Sequence, residues 1–269
     1  MISSCKDEKV VVLTTTTDVL NLKTLDDNQS FTINCSDAWT AKSSDSWCVV
    51  SEVTGTGNSQ LKVNGKNNFT GYPRAATITI TAGDKTKLVK VTQNGGELLF
   101  EENFIENSRN WIQEGDSLKE SMSKGIFTIK NTNTLYYYFV GVKPLVSDYT
   151  GNYMITMKYN HITGNGPFGL VFARQDNLNY YIIYFYSDGY FGIREIKDGT
   201  NITIIGAPSK AVSFSNTICL KKQGSSCEVY VNDVLVNSFN LATPFGSYVS
   251  LASFPDSEIG VDYLRVIKQ

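Results

Sequence analysis

The chain has 269 residues, enough for one large domain or for two that each bury a core of their own. Its 24 Lys and Arg are interspersed with 26 Asp and Glu for a net charge of −2, so no basic cluster is left to neutralise phosphates, and nucleic acid is excluded as a partner. No run approaches the roughly 20 apolar residues of a spanning helix, which excludes a helical integral membrane protein.

At the N-terminus, MISSC followed by Lys6, Asp7 and Glu8 resembles the end of a bacterial lipoprotein signal. The resemblance implies that Cys5 is acylated, that residues 1–9 form a tether, and that the protein is lipid-anchored to the outer membrane. The acidic triplet is similar to the export signals of Bacteroidetes surface lipoproteins, which implies a place on the cell surface.

From Val10 onward the dominant pattern is period two in Val, Ile, Thr, Tyr and Phe, broken by Gly, Asn, Asp and Ser. The runs SFTINC, QLKVNG, AATITITAG and KLVKVTQ put Leu61 with Val63, Ile78 with Ile80 and Val89 with Val91 on one face each, as half-buried antiparallel strands require. Asn94, Gly95 and Gly96 tolerate positive φ and end this pattern, and a more aromatic sequence follows. The predicted domains are therefore 10–95 and 97–269.

SDAWTAKSSDSW with Trp39 and Trp47, then GTGNSQLKVNGKNN, YPRAATITITAG and VKVTQNGG, make the first domain similar to BACON domains over Val10 to Gly95. The resemblance implies an immunoglobulin-like β-sandwich, commonly placed before carbohydrate-active domains, and a role as spacer. Both Trp rings are expected to fill its core, where each buries roughly 150 to 250 Å². The loop SEVTGTG departs from the Pro-x-x-Gly turn common in the family, which leaves that loop's shape open.

The four remaining cysteines fit neither a zinc site nor a redox pair. Cys35 shares a face with Phe31 and Ile33 and reads as a small buried hydrophobe, with a bond to Cys48 as the alternative. Cys219 and Cys227, on two arms of a hairpin turning at Gly224, are expected to stay unpaired.

In the second domain, LLFEENFIENSRNW, GPFGLVFARQDNLNYYIIYF, CEVYVNDVLV and VDYLRVIKQ occur in the order that resembles concanavalin A-like lectin/glucanase and laminin-G-like domains. The resemblance implies a jelly-roll β-sandwich, so the fold class is all-β throughout, with an immunoglobulin-like sandwich first and a concanavalin A-like jelly roll second. Along YYIIYFY, Tyr181, Ile183 and Phe185 point one way and are the expected core, while Tyr180, Ile182, Tyr184 and Tyr186 point the other. That second set is either a packed tyrosine ladder or a platform for sugar C–H groups. On the platform reading the ligand-binding residues are Tyr184 and Tyr186, Tyr190 across the turn, Arg174 and Asn179 as polar partners, and Tyr136 with Tyr138 from TLYYYFVG.

Jelly-roll glucanases cleave with paired carboxylates in a Glu-x-Asp-x-x-Glu array, roughly 5 to 5.5 Å apart for retention. Glu114, Asp116 and Glu120 in EGDSLKE have one residue too many, so no intact catalytic motif is present. His161, the sole histidine, can form neither a metal cluster nor a Ser-His-Asp triad, and is expected in a surface loop. Related sandwiches carry a structural Ca²⁺ near the chain ends, for which Glu102 and Asp262 are the candidate ligands. The expected function is a monomeric, non-catalytic surface lipoprotein that captures a polysaccharide or oligosaccharide. A jelly-roll glycoside hydrolase and an adhesive or structural protein without sugar affinity are the alternatives.

Overall fold

The computed structural model describes residues 10–25, 27–112, 115–144, 151–242 and 245–269, with the backbone alone for 142–144. Cys5 and Glu114 lie outside the described residues. The chain divides into two compact units, Met1–Gly96 and Glu97–Gln269. Both are built from β-strands, and no helix occurs among the described residues. The all-β class expected from the alternation is the class observed.

In the first unit a four-stranded sheet runs Leu13–Thr15, Asn28–Cys35, Ser59–Gly65, Cys48–Val50. It faces a five-stranded sheet of Val19–Leu22, Lys85–Gln93, Arg74–Ala82, Ala38–Ser43 and Thr54–Thr56, in which the first two strands are parallel. The alternating residues Phe31, Ile33, Leu61, Val63, Ile78 and Val89 meet between the sheets, each almost fully buried. Trp39 joins them, its indole N–H donating to the Gly57 carbonyl at 3.0 Å. Its ring rests where a Cβ on Gly55 would stand, 2.2 Å away.

The family-like polar residues close one end of this sandwich. Arg74 stacks on Trp47 at 4.5 Å and donates to Gln93 Oε1 at 2.8 Å. The buried Gln93 amide in turn donates to the carbonyls of Lys23, Thr24 and Lys66. Asn68, fully buried, bonds the carbonyls of Tyr72 and Asn94. These side chains satisfy loop backbone groups that burial would otherwise orphan, a structural task.

In the second unit an eight-stranded sheet runs Leu118–Ser123, Ile126–Asn131, Ser257–Lys268, Tyr153–Gly164, Ser215–Gln223, Ser226–Val231 and Val234–Asn240, with Glu97–Glu102 also paired to Ser257–Lys268. The facing six-stranded sheet runs Tyr138–Pro144, Tyr248–Ser253, Phe168–Arg174, Tyr180–Phe185, Tyr190–Lys197 and Thr200–Pro208. Tyr181, Ile183 and Phe185 point into the core between them, as parity predicts. Trp111 is also fully buried there, edge-on to Phe104 at 5.2 Å.

His161 departs from expectation. It lies buried inside the strand Tyr153–Gly164, its Nε2 3.1 Å from the Gly166 carbonyl, because the strand runs through YNHITG before turning. Cys35, Cys48, Cys219 and Cys227 are free and buried. Burial pushes the Cys219 thiol up and the Cys227 thiol up to about 12, which removes the thiolate that reacts. Iodoacetamide at pH 8 is therefore expected to label none of these four in the folded chain and all four in guanidinium. Labelling of Cys219 or Cys227 in the folded chain, read by mass spectrometry, would contradict their burial.

Candidate functional site

The outer face of the six-stranded sheet carries the unusual chemistry. Register places Gly169 opposite Tyr184, Tyr184 opposite Gly192, and Gly192 opposite Gly206. A Cβ on Gly192 would stand 2.2 Å from both Cζ and the hydroxyl oxygen of Tyr184, and one on Gly206 would stand 2.1 Å from the Tyr190 hydroxyl. The two rings therefore lie down across neighbouring strands, in space that only glycine leaves open.

Around them the aromatic layer continues. Tyr184 meets Tyr186 edge-on at 6.1 Å, and Tyr186 meets Tyr190 at 5.8 Å. Tyr137 stacks on Phe254 at 5.1 Å and shares a 2.6 Å hydrogen bond between its hydroxyl and that of Tyr180. Phe139 stands edge-on to Tyr180 at 5.1 Å. Exposure divides this layer into floor and surface. Tyr180 and Tyr184 are 1% and 5% exposed, whereas Tyr137, Tyr190 and Tyr248 are 44%, 36% and 41% exposed. Burial and the bond from Tyr137 push the Tyr180 hydroxyl up, and burial does the same to Tyr184, so both remain neutral phenols.

Two arginines lie over the rings, Arg194 with its guanidinium 4.8 Å from Tyr184 and Arg174 with its own 4.7 Å from Phe139. Burial lowers the pKa of Arg174, which also donates to Asn177 Oδ1.

Several expected site residues lie elsewhere. Phe139 pairs with Ala252 of the outer face, so period two brings Tyr137 to that face and turns Tyr138 away. Tyr138 instead accepts from Asn133 at 3.1 Å, and Tyr136 is an exposed residue of the preceding turn. Asn179 spends its carbonyl on the Asp198 N–H and its amide on Asp176, closing adjacent turns. Sequence reading places Tyr180 on this face without naming it as a ligand contact, and it misses Tyr137, Tyr248 and Arg194. Tyr137 and Arg194 needed cross-strand register, but Gly192 and Gly206 inside β-rich runs were a usable sign of close approach.

The carboxylates considered for Ca²⁺ do not fit one. Glu102 accepts the Asn103 and Phe104 N–H groups at 3.1 and 3.0 Å and the Trp111 indole N–H at 2.8 Å. Asp262 accepts from Lys158 at 2.5 Å and from Asn160 at 3.1 Å. Both are engaged by protein donors, and no group of three or more metal-ligating side chains occurs among the described residues. Of the glucanase-like carboxylates, Asp116 is exposed before the edge strand Leu118–Ser123 and Glu120 lies within it, on the other sheet.

The first unit offers less. Its shallow depression of about 520 Å³ is lined by Trp39, Thr40, Gly55 and Gly83, but Trp39 is only 2% exposed and presents no ring face.

Residues 37–94 match the BACON family model, described as "Putative binding domain, N-terminal". No curated protein matches the chain. Among solved structures, 32% of the chain is similar to a Bacteroides ovatus GH5 xyloglucanase in complex with a XXXG heptasaccharide, at 24% identity and a TM-score of 0.30, spanning 19% of that protein. A further 11% identical match, with a TM-score of 0.48, covers 64% of the chain and 96% of a Bacillus subtilis protein of unknown function with a galectin-like fold. The carbohydrate binding module CBM66 from Bacillus subtilis matches 56% of the chain over 92% of its own length, at 12% identity and a TM-score of 0.44.

Proposed function

We propose that the second unit is a non-catalytic glycan-binding module that takes its ligand on the outer face of the six-stranded sheet. In this reading the BACON-like unit is a spacer, and acylation at Cys5 anchors the protein to the outer membrane at the cell surface. The observation that carries it is the set of tyrosines laid flat over Gly192 and Gly206, with Tyr137, Tyr190 and Tyr248 open to solvent. Flat rings with a hydroxyl at the rim suit sugars, which offer C–H groups on one side and hydroxyls at the edge. The absence of catalysis is supported by the character of the face: among the described residues, its strands direct no Asp or Glu side chain outward, and Glu195 of the central strands bonds Tyr181 inside the core.

Affinity electrophoresis of the full chain in gels containing neutral and acidic polysaccharides tests the reading. At least one polymer is expected to retard the chain, with retardation lost in a variant carrying both Tyr137→Ala and Tyr190→Ala, and with no sugar released. A panel without retardation, or retardation untouched by that variant, would rule out this face. The competing reading, a ladder that only packs, is favoured by the burial of Tyr180 and Tyr184 and predicts that blank panel.

A further inference from the structure

The tyrosine face holds two guanidinium groups, Arg174 and Arg194, and among the described residues only the Asp176 carboxylate acts on Arg174 as a counter-charge. Arg174 and Arg194 stand on the strands either side of Tyr180–Phe185, and the charges of both act on the Tyr180 hydroxyl between them. Neither forms an ion pair among the described residues. On the other sheet of the same unit several cations have counter-charges, Arg265 with Glu101 at 2.7 Å, Lys221 with Glu228 at 3.1 Å and Lys130 with Glu258 at 2.8 Å, while Lys222 bonds the Gly151 carbonyl at 3.4 Å. Asp176, whose charge acts on Arg174, spends Oδ1 on the Leu178 N–H and the Asn179 amide.

Buried polar atoms without a partner occur on both sheets, Thr156 Oγ1 and His161 Nδ1 on the eight-stranded one. Arg174 Nε, Arg194 Nε and Ser250 Oγ are buried on the tyrosine face without a hydrogen-bond partner. Ser250 is fully buried and Arg174 is 8% exposed. Buried donors are almost always satisfied, and a buried cation without a counter-charge is strongly disfavoured. The neutral phenols of Tyr180 and Tyr184 supply no counter-charge. Stacking on rings holds each guanidinium flat; Arg174 gives one N–H to Asn177, and the remaining N–H groups at the two edges suit a planar acceptor.

We propose that the ligand of this face carries a carboxylate, so that the glycan is an acidic one containing uronate or a related acid sugar. The inference rests on the glycan-binding reading above and adds the class of sugar. The carboxylate takes the guanidinium edges while the ring of the sugar lies on Tyr190 and Tyr137.

The full chain is run in gels containing polygalacturonate, fully methyl-esterified polygalacturonate, alginate or hyaluronan, beside neutral polymers, at 50 and 500 mM NaCl. At least one acidic polymer is expected to retard the chain, with affinity falling tenfold or more at high salt, and polygalacturonate, if bound, loses tenfold or more on esterification. Arg194→Gln is expected to lose at least tenfold, and Arg194→Lys to recover part of that loss, since charge returns without the fork. The salt and ester comparisons use the unaltered chain, so a variant that misfolds leaves the proposal testable. Tyr190-dependent binding to neutral polymers alone would overturn the acidic ligand and leave glycan binding intact. Binding that ignores esterification and salt would also overturn it, and a panel with no binding at all would overturn both.

Discussion

Replacing Glu102 with alanine is expected to lower the melting temperature of the second unit by about 10 °C. The carboxylate is buried and accepts three N–H groups, two of them from the fully buried residues Phe104 and Trp111, with Arg109 3.5 Å away. Truncation orphans those donors. Removing one partner of a buried charged arrangement costs about 3 to 5 kcal/mol, and each kcal/mol moves the midpoint by roughly 2 to 4 °C in a domain of this size. Gly141→Ala attacks the same node from the other side. A Cβ there would stand 1.9 Å from the Trp111 ring, at a φ of +60° that disfavours any side chain. Scanning calorimetry checks both, because the larger unit gives the transition of larger enthalpy. A shift below about 3 °C for Glu102→Ala would show that the indole bond is dispensable. EDTA is expected to leave the wild-type transition in place, since Glu102 serves N–H donors; a drop would return it to the role of metal ligand.

Gly192→Ala is expected to weaken glycan binding by roughly thirtyfold, about 2 kcal/mol, while leaving the fold intact. Gly192 does not have a positive φ, so alanine suits its backbone. The clash is with the far end of Tyr184, which must lift and carry Arg194, Tyr186 and Phe254 with it. Gly206→Ala should act in the same way through Tyr190. Titration calorimetry with a retarding polysaccharide, beside a thermal melt, separates the two effects. Unchanged binding in both variants would mean that the flat posture of the rings is irrelevant to the ligand.

Much of this was readable in the chain, because period-two patterning reports which residues share a face. Tyr181, Ile183 and Phe185 were assigned inward, Trp39 and Trp47 to the first core, and the break at Asn94 to Gly96 was visible as three turn-forming residues. Patterning does not report what lies opposite. Tyr136 and Tyr138 were preferred to Tyr137 because the start of the strand and its register with Ala252 depend on pairing across more than a hundred residues. Glu102 looked like an oxygen ligand because its indole partner, nine residues on, is reached only after the chain folds back. His161 looked like a loop residue among Asn and Gly, yet the strand continues to Gly164.

The central claim is that sugar sits on the outer face of the six-stranded sheet, and hydroxyl-radical footprinting of the full chain with a retarding polysaccharide tests it most directly. Tyr137, Tyr190 and Tyr248 are exposed there, while Phe214, beside His161 of the other sheet, and Tyr72 of the first unit are exposed outside it. The polysaccharide is expected to protect the first three from oxidation and to leave Tyr72 and Phe214 as reactive as in the free chain. Protection of Tyr72 or Phe214 with Tyr137 and Tyr190 still oxidised would place the sugar elsewhere and contradict the claim.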